Sequence, residues 1–299
     1  MTRTSLRGVI AAIVTPATPG LDPDAPRFLR HARQLLAEGA DGLNVLGTTG
    51  EATSFSLDQR RGLMEAAAAG LPRDRLMVGT GAAATRDAVE LTRHAGDCGF
   101  AGALVLPPFY YKGVGTEGIL RYFDAIAEGS AASGIPLYLY NFPALSGVPY
   151  TEDLVSALVA RFGGRIAGLK DSSGDIGYAR RIAALPGGLD VFPSSEAVLD
   201  QARAGGPFAG CISATVNVSA RHAAAALHGG DDAALQRATA IRALFDGKPL
   251  VPWLKQAVAA RMGDPGYGPV LPPFVPPDPA AVATLVTELE KIDKAPARP

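Results

Sequence analysis

The sequence predicts an α/β protein, a (β/α)8 TIM barrel with a C-terminal helical appendage, and three observations carry that expectation. Eight short runs rich in valine, isoleucine and leucine recur through the first three quarters of the chain, at residues 9–14, 42–46, 76–78, 103–106, 137–139, 166–169, 190–192 and 208–212. Each precedes a longer stretch with helical patterning, and the runs are apolar almost without interruption, as parallel strands covered by helices require. Eight such units fit the ~250 residues typical of this barrel, within a chain of 299.

The first run passes directly into Thr15-Pro16 and is too short for the apolar core of a signal peptide, so it is a strand. Helix starts show their own chemistry. Ser56-Leu57-Asp58-Gln59 has the spacing of a capping box after the second run, while Thr116-Glu117, Thr151-Glu152-Asp153 and Ser195-Glu196 place a hydroxyl and then acids at N-termini after the fourth, fifth and seventh. Beyond Gly229-Gly230 the alternation stops and helical patterns remain at residues 233–245, 251–262 and 279–292, the last two separated by a Pro/Gly-rich segment, 264–277. The expected division is a barrel over residues 1–228 and a helical region over 229–299.

Composition narrows the partners. The chain is 47% hydrophobic and 19% charged with a formal net charge of -1, the profile of a soluble globular protein with a substantial core. Its lysines and arginines form no basic run, which argues against nucleic acid and against an anionic membrane surface, and no apolar stretch is long enough to span a bilayer. Cys98 and Cys211 stand far apart and outside any Cys-x-x-Cys spacing, consistent with reduced thiols and a cytoplasmic location.

In such a barrel the chemistry lies at the C-terminal strand ends. Lys170 closes the sixth run and precedes the turn-rich Asp171-Ser172-Ser173-Gly174-Asp175, so a buried strand delivers one amine to a strand-to-helix loop. Burial disfavours an ammonium ion, and an amine so placed can attack a ketone to form a Schiff base; a lysine there can equally pair with Asp171 or with a carboxylate across the sheet. Thr48 and Thr49, flanked by Gly47 and Gly50, offer two hydroxyls and backbone N–H groups to a carboxylate, or simply close a turn. Tyr140, Tyr110 and Thr48 are the hydroxyls available for a proton relay, although Tyr140 also suits a core position. Ser194, Ser195 and Glu196 follow the seventh run and Ser213 the eighth.

No metal or cofactor is expected. His31, His94, His222 and His228 all fall in helix-like stretches away from the strand ends where a zinc site would need them. Gly79-Thr80-Gly81-Ala82-Ala83-Ala84 matches a dinucleotide-binding glycine pattern, but Asp97 stands too near, and within the same helical stretch, to be its ribose-binding acid.

Four segments together resemble one family. Gly47-Thr48-Thr49-Gly50-Glu51, Pro108-Phe109-Tyr110-Tyr111, Tyr140-Asn141-Phe142-Pro143-Ala144-Leu145-Ser146-Gly147 and Gly168-Leu169-Lys170-Asp171-Ser172-Ser173-Gly174-Asp175 are similar, in order and spacing, to the dihydrodipicolinate synthase and N-acetylneuraminate lyase family of class I, pyruvate-dependent lyases. The resemblance implies that Lys170 is the Schiff-base residue, that Thr48 and Thr49 hold the pyruvyl carboxylate, and that Tyr140 is the general acid/base. It further implies that Tyr110 is lent by a neighbouring subunit to complete a Tyr140-Thr48-Tyr110 relay in a homotetramer formed as a dimer of dimers.

Departures from the family bear on substrate. Leu145 stands where the synthases carry the arginine that binds their acidic substrate, and Phe109 where they carry a lysine-contacting tyrosine. Ser195 and Ala214 differ from the neuraminate lyases, so sialic acid is not favoured. The expectation is an aldolase acting on a 2-keto acid, most readily a 2-keto-3-deoxy sugar acid, with Ser194, Ser195, Ser213 and Asn217 offering hydroxyls and an amide to the hydroxylated chain and Glu196 a further substrate-binding group. Alternatives are a 4-hydroxy-tetrahydrodipicolinate synthase, a 4-hydroxy-2-oxoglutarate aldolase, a Schiff-base dehydratase, or a non-catalytic keto-acid sensor.

Overall fold

In the computed structural model, which describes residues 6–294, the eight apolar runs become parallel strands: β1 (Gly8–Ala12), β2 (Gly42–Val45), β3 (Leu76–Gly79), β4 (Gly102–Val105), β5 (Leu137–Asn141), β6 (Ile166–Asp171), β7 (Asp190–Pro193) and β8 (Gly210–Ser213). Their order is β7-β6-β5-β4-β3-β2-β1-β8. The outermost strands approach one another, with Ala209 N–H donating to the Val191 carbonyl at 2.9 Å, so the sheet is a nearly closed barrel. Residues 1–5 and 295–299, the ends of the two expected regions, lie outside the described residues.

Alternation along each strand sorts the side chains. Val9, Leu43, Val45, Val78 and Leu139 face outward into the layer shared with the helices, whereas Ile10, Ala12, Met77, Leu104, Tyr138, Tyr140, Phe192 and Ile212 fill the interior. One strand breaks the period. Leu137 pairs with Ile166 but Tyr138 pairs with Gly168, which leaves Ala167 as a bulged residue in β6. Ile166 and Leu169 both join the outer layer. Strict alternation from Ile166 would turn Lys170 outward as well; the bulge resets the phase and brings Lys170 to the interior, opposite Tyr140.

The strands are joined by α1 (Ala25–Ala37), α2 (Leu57–Gly70), α3 (Thr85–Asp97), α4 (Thr116–Gly129), the short α5 (Pro143–Ser146), α6 (Glu152–Phe162), α7 (Ile176–Ala183) and α8 (Val216–His228). Ser56 and Gln59 form the expected capping box and Thr151 caps α6 through the Leu154 N–H. Thr116 and Glu117 open α4 as expected, with Gly115 as its N-cap. One expectation is corrected. Ser195 caps only a 3-10 turn, Glu196–Val198, and no α-helix lies between β7 and β8, because Gly205-Gly206-Pro207 cuts propagation and Gly205 adopts a φ of +82° that other residues avoid. Strand ends move slightly: residues 13 and 14 leave β1, whereas β5 and β6 extend to take in Tyr140 and Lys170.

Beyond α8 come α9 (Asp232–Ala243), α10 (Leu250–Met262) and α11 (Pro279–Lys294). Leu254 and Val258 of α10, Ile241 of α9 and Leu285 of α11 share a core with Val14, Ala214 and Val218 at the C-terminal end of the barrel. These helices therefore press on the end where chemistry is expected. No helix among the described residues is long and apolar enough to cross a membrane.

Candidate active site

Tyr140 and Lys170 stand side by side on adjacent strands, paired in register. The Lys170 Nζ lies 4.2 Å from the centroid of the Tyr140 ring, and both residues are only 3% exposed. The Tyr140 hydroxyl is 3.2 Å from Thr48 Oγ1. Burial alone would raise the pKa of this phenol; the Lys170 ammonium and hydrogen bonds with Thr48, Ser172 and Lys170 outweigh burial and bring it below its ordinary value. One residue further along, the Asn141 amide donates to the Asp171 carboxylate at 2.7 Å and accepts from the Tyr150 N–H, so the two strands are latched directly beyond the reactive pair. Burial pushes Asp171 up, against the bonds from Asn141 and Ser173.

Thr48 and Thr49 sit on a tight turn after β2. Gly50 and Ala52 donate to the Gly47 carbonyl and Glu51 to that of Thr48, and among the described residues the Thr48 and Thr49 N–H groups have no backbone acceptor. A Cβ at Gly47 would come within 2.4 Å of the Asn44 side-chain amide, so a larger residue there would displace Asn44. A cavity of about 230 Å³ opens beside the turn, walled by Thr48, Thr53, Tyr140, Leu145, Arg60 and Phe109. Lys170 is not on that wall but stands directly beside Tyr140, which is. Leu145 is 59% exposed at the cavity rim. Arg60 spends its Nη2 on the Gly79 and Gly81 carbonyls, the glycine pattern that invited a nucleotide-site reading.

Other expected site residues are placed differently. Tyr110 is 75% exposed and packs edge-on against Tyr111 at 5.4 Å, away from Tyr140 within one chain. Ser195 accepts from the Ala197 N–H. Glu196 and Ser213 are fully buried and bonded to each other at 2.9 Å, and Thr215 and Ser219 donate to the other carboxylate oxygen. Asn217 is likewise fully committed, to His31, Val14 N, Ala12 O and Ala214 O. Glu196, Ser213 and Asn217 thus knit the end of β8 to its surroundings rather than presenting free groups. The four histidines lie on helices, and no cluster of metal-binding side chains occurs among the described residues. Sequence reasoning missed Ser172 as a Tyr140 partner and Arg60 as a wall residue; Ser172 had been absorbed into a turn motif, and an arginine on a helix gives no periodic signal that it points into a cavity.

A profile of the dihydrodipicolinate synthetase family matches residues 5–262. An uncharacterised DapA-like lyase of Chloroflexus aurantiacus is 36% identical over 292 residues, spanning 96% of this chain and 97% of its own. The 4-hydroxy-tetrahydrodipicolinate synthase of Rhizobium meliloti is 34% identical over 218 residues, 72% of each chain. Among solved structures, dihydrodipicolinate synthase from Agrobacterium tumefaciens superposes with a TM-score of 0.87 at 26% identity, covering 95% of this chain and 99% of that one. YagE, a prophage protein of the dihydrodipicolinic acid synthase family from E. coli solved with pyruvate, superposes with a TM-score of 0.85 at 28% identity, covering 97% and 99%.

Proposed function

Because the chain belongs to the dihydrodipicolinate synthetase family, we propose that it is a class I aldolase that cleaves a 2-keto acid, most readily a 2-keto-3-deoxy sugar acid, to pyruvate and an aldehyde through a Schiff base on Lys170. The single observation that carries this reading is the buried pairing of Lys170 with Tyr140, whose hydroxyl reaches Thr48. In this reading Thr48 and Thr49 bind the carboxylate and the Lys170 amine adds to the ketone; loss of water leaves a protonated imine. Tyr140, as phenolate, takes the proton of the substrate's hydroxyl, and the bond between the hydroxyl-bearing carbon and the methylene beside the imine breaks. Its electron pair passes into the imine as an enamine and the aldehyde leaves. Protonation of the enamine and hydrolysis release pyruvate and free Lys170. A phenol whose pKa lies below its ordinary value is suited to the proton step.

The exposed Tyr110 fits a hydroxyl lent across a subunit contact, completing a Tyr140-Thr48-Tyr110 relay in a cytoplasmic homotetramer. The cavity wall bears on specificity. Leu145 supplies no charge to the carboxylate of an aldehyde partner such as aspartate semialdehyde, and losing a charge-assisted contact costs ~1.5–3 kcal/mol, roughly tenfold to more than a hundredfold in kcat/KM. A 4-hydroxy-tetrahydrodipicolinate synthase is the second reading, because curated relatives bear that name.

Borohydride added with pyruvate should leave one three-carbon adduct on Lys170 and inactivate the protein, and Lys170→Ala should take up none; equal labelling of that variant refutes the assignment. Pyruvate release from a panel of 2-keto-3-deoxy acids, measured beside synthase activity with aspartate semialdehyde, tests the substrate. Efficient synthase activity inhibited by lysine would favour the second reading.

A further inference from the structure

The turn that carries Thr48 and Thr49 is kept in an unfavourable shape by groups from outside the eight strand-helix units. Leu46 and Glu51, which bracket it, are both left-handed, at φ of 52° and 53°, a region that residues with a Cβ rarely occupy. Glu51 donates its N–H to the Thr48 carbonyl at 3.1 Å. Its carboxylate is engaged elsewhere: Oε2 takes the Lys255 ammonium at 2.5 Å, and Oε1 takes the Leu271 N–H at 2.8 Å. Both charged side chains are wholly buried. Lys255 belongs to α10 and Leu271 to the loop after it, 204 and 220 residues downstream of Glu51.

Packing alone is a poor reason for such a pair. Taking two charges out of water often costs more than their attraction returns, and apolar residues of similar volume hold an interior at least as well. What a buried pair does supply is a defined geometry, because any movement that separates the partners leaves a charge uncompensated. We propose that the Lys255–Glu51 ion pair is a positioning device, through which the C-terminal helices set the turn at residues 47–51 and thereby the affinity of Thr48 and Thr49 for the carboxylate of the 2-keto acid; this rests on the Schiff-base reading above. Neither residue touches substrate.

Borohydride trapping over a range of pyruvate concentrations separates positioning from packing. Lys255→Met and Glu51→Gln each leave a buried group without its partner and should lower the melting temperature, while the double variant, with neither charge, should regain most of it. In all three the pyruvate concentration for half-maximal trapping should rise roughly ten- to a hundredfold, with the extent at saturation unchanged because Lys170 and Tyr140 are intact. A stable double variant with wild-type half-saturation would overturn the inference. Glu51→Asp keeps the charge and tolerates a left-handed backbone but shortens the arm by one methylene. It supplies the same readout should the neutral pair not fold, a raised half-saturation supporting the inference and an unchanged one overturning it. No trapping in the wild type removes the Schiff-base reading and this inference together; trapping in the wild type without a shift in the variants removes this inference alone.

Discussion

Tyr140 shows how a single side chain is tuned by its neighbours rather than by its own chemistry. Burial opposes ionisation of its phenol, yet the ammonium of Lys170 and three hydrogen-bonding partners reverse that preference. Neutral phenylalanine keeps the ring against Lys170 and loses only the hydroxyl, so Tyr140→Phe should lower kcat by the ~10²–10⁴ typical of removing a general acid/base, with Lys170 still trapped by borohydride. Steady-state assays that put the variant within twofold of the wild type would exclude Tyr140 from the proton step. Lys170, Tyr140 and Thr48 were legible in the sequence because each stands at a strand end beside a recognisable turn. Glu196 and Ser213 were legible as polar residues at strand ends, but their mutual hydrogen bond was not.

At the scale of elements, β6 decides whether Lys170 meets Tyr140 at all. Directly after the bulge at Ala167 the backbone of β6 runs close to β7, and a Cβ on Gly168 would lie 2.1 Å from the Asp190 carbonyl oxygen. Backbone cannot yield as a flexible side chain does. Gly168→Ala should therefore cost ~1–3 kcal/mol of stability, the range for overpacking a close-packed interior, and should lower the extent of pyruvate trapping because the strand carrying Lys170 must shift. Urea unfolding and adduct mass spectrometry read the two effects separately. A variant as stable as the wild type that is fully trapped would show that the close approach at Gly168 is dispensable.

For the whole molecule, a buried histidine ties stability to pH. His31 of α1 is 1% exposed and bonds through Nε2 to Asn217 of α8, while its Nδ1 has no partner among the described residues, the pattern of a neutral ring. Burial lowers it from 6.5 to about 4, against the smaller upward pull of Asn217. Between those values the unfolded chain binds a proton that the folded one refuses, so stability is fully present above about 6.5 and is lost as pH falls toward about 4. A shift from 6.5 to about 4 corresponds to at most about 3 kcal/mol. Denaturant unfolding at pH 7.5 and 4.5 should show that loss in the wild type and a smaller one in His31→Gln; equal losses would remove His31 as a cause.

Repeating apolar runs, capping hydroxyls and glycine-proline breaks are local signals, and they sufficed for eight strands, for most helix starts and for the C-terminal helices. They also placed Lys170, Tyr140, Thr48 and Thr49 at one end of the barrel, because parallel strands joined by helices all present the same ends. Three things required the folded chain. Which way Lys170 points depended on a bulge, since strict alternation from Ile166 would have turned it outward. The missing helix after β7 was masked by a hydroxyl-acid pair that caps a 3-10 turn equally well. The pairing of Glu51 with Lys255, 204 residues away, has no periodic signature, because a buried ion pair is specified only where two distant elements meet.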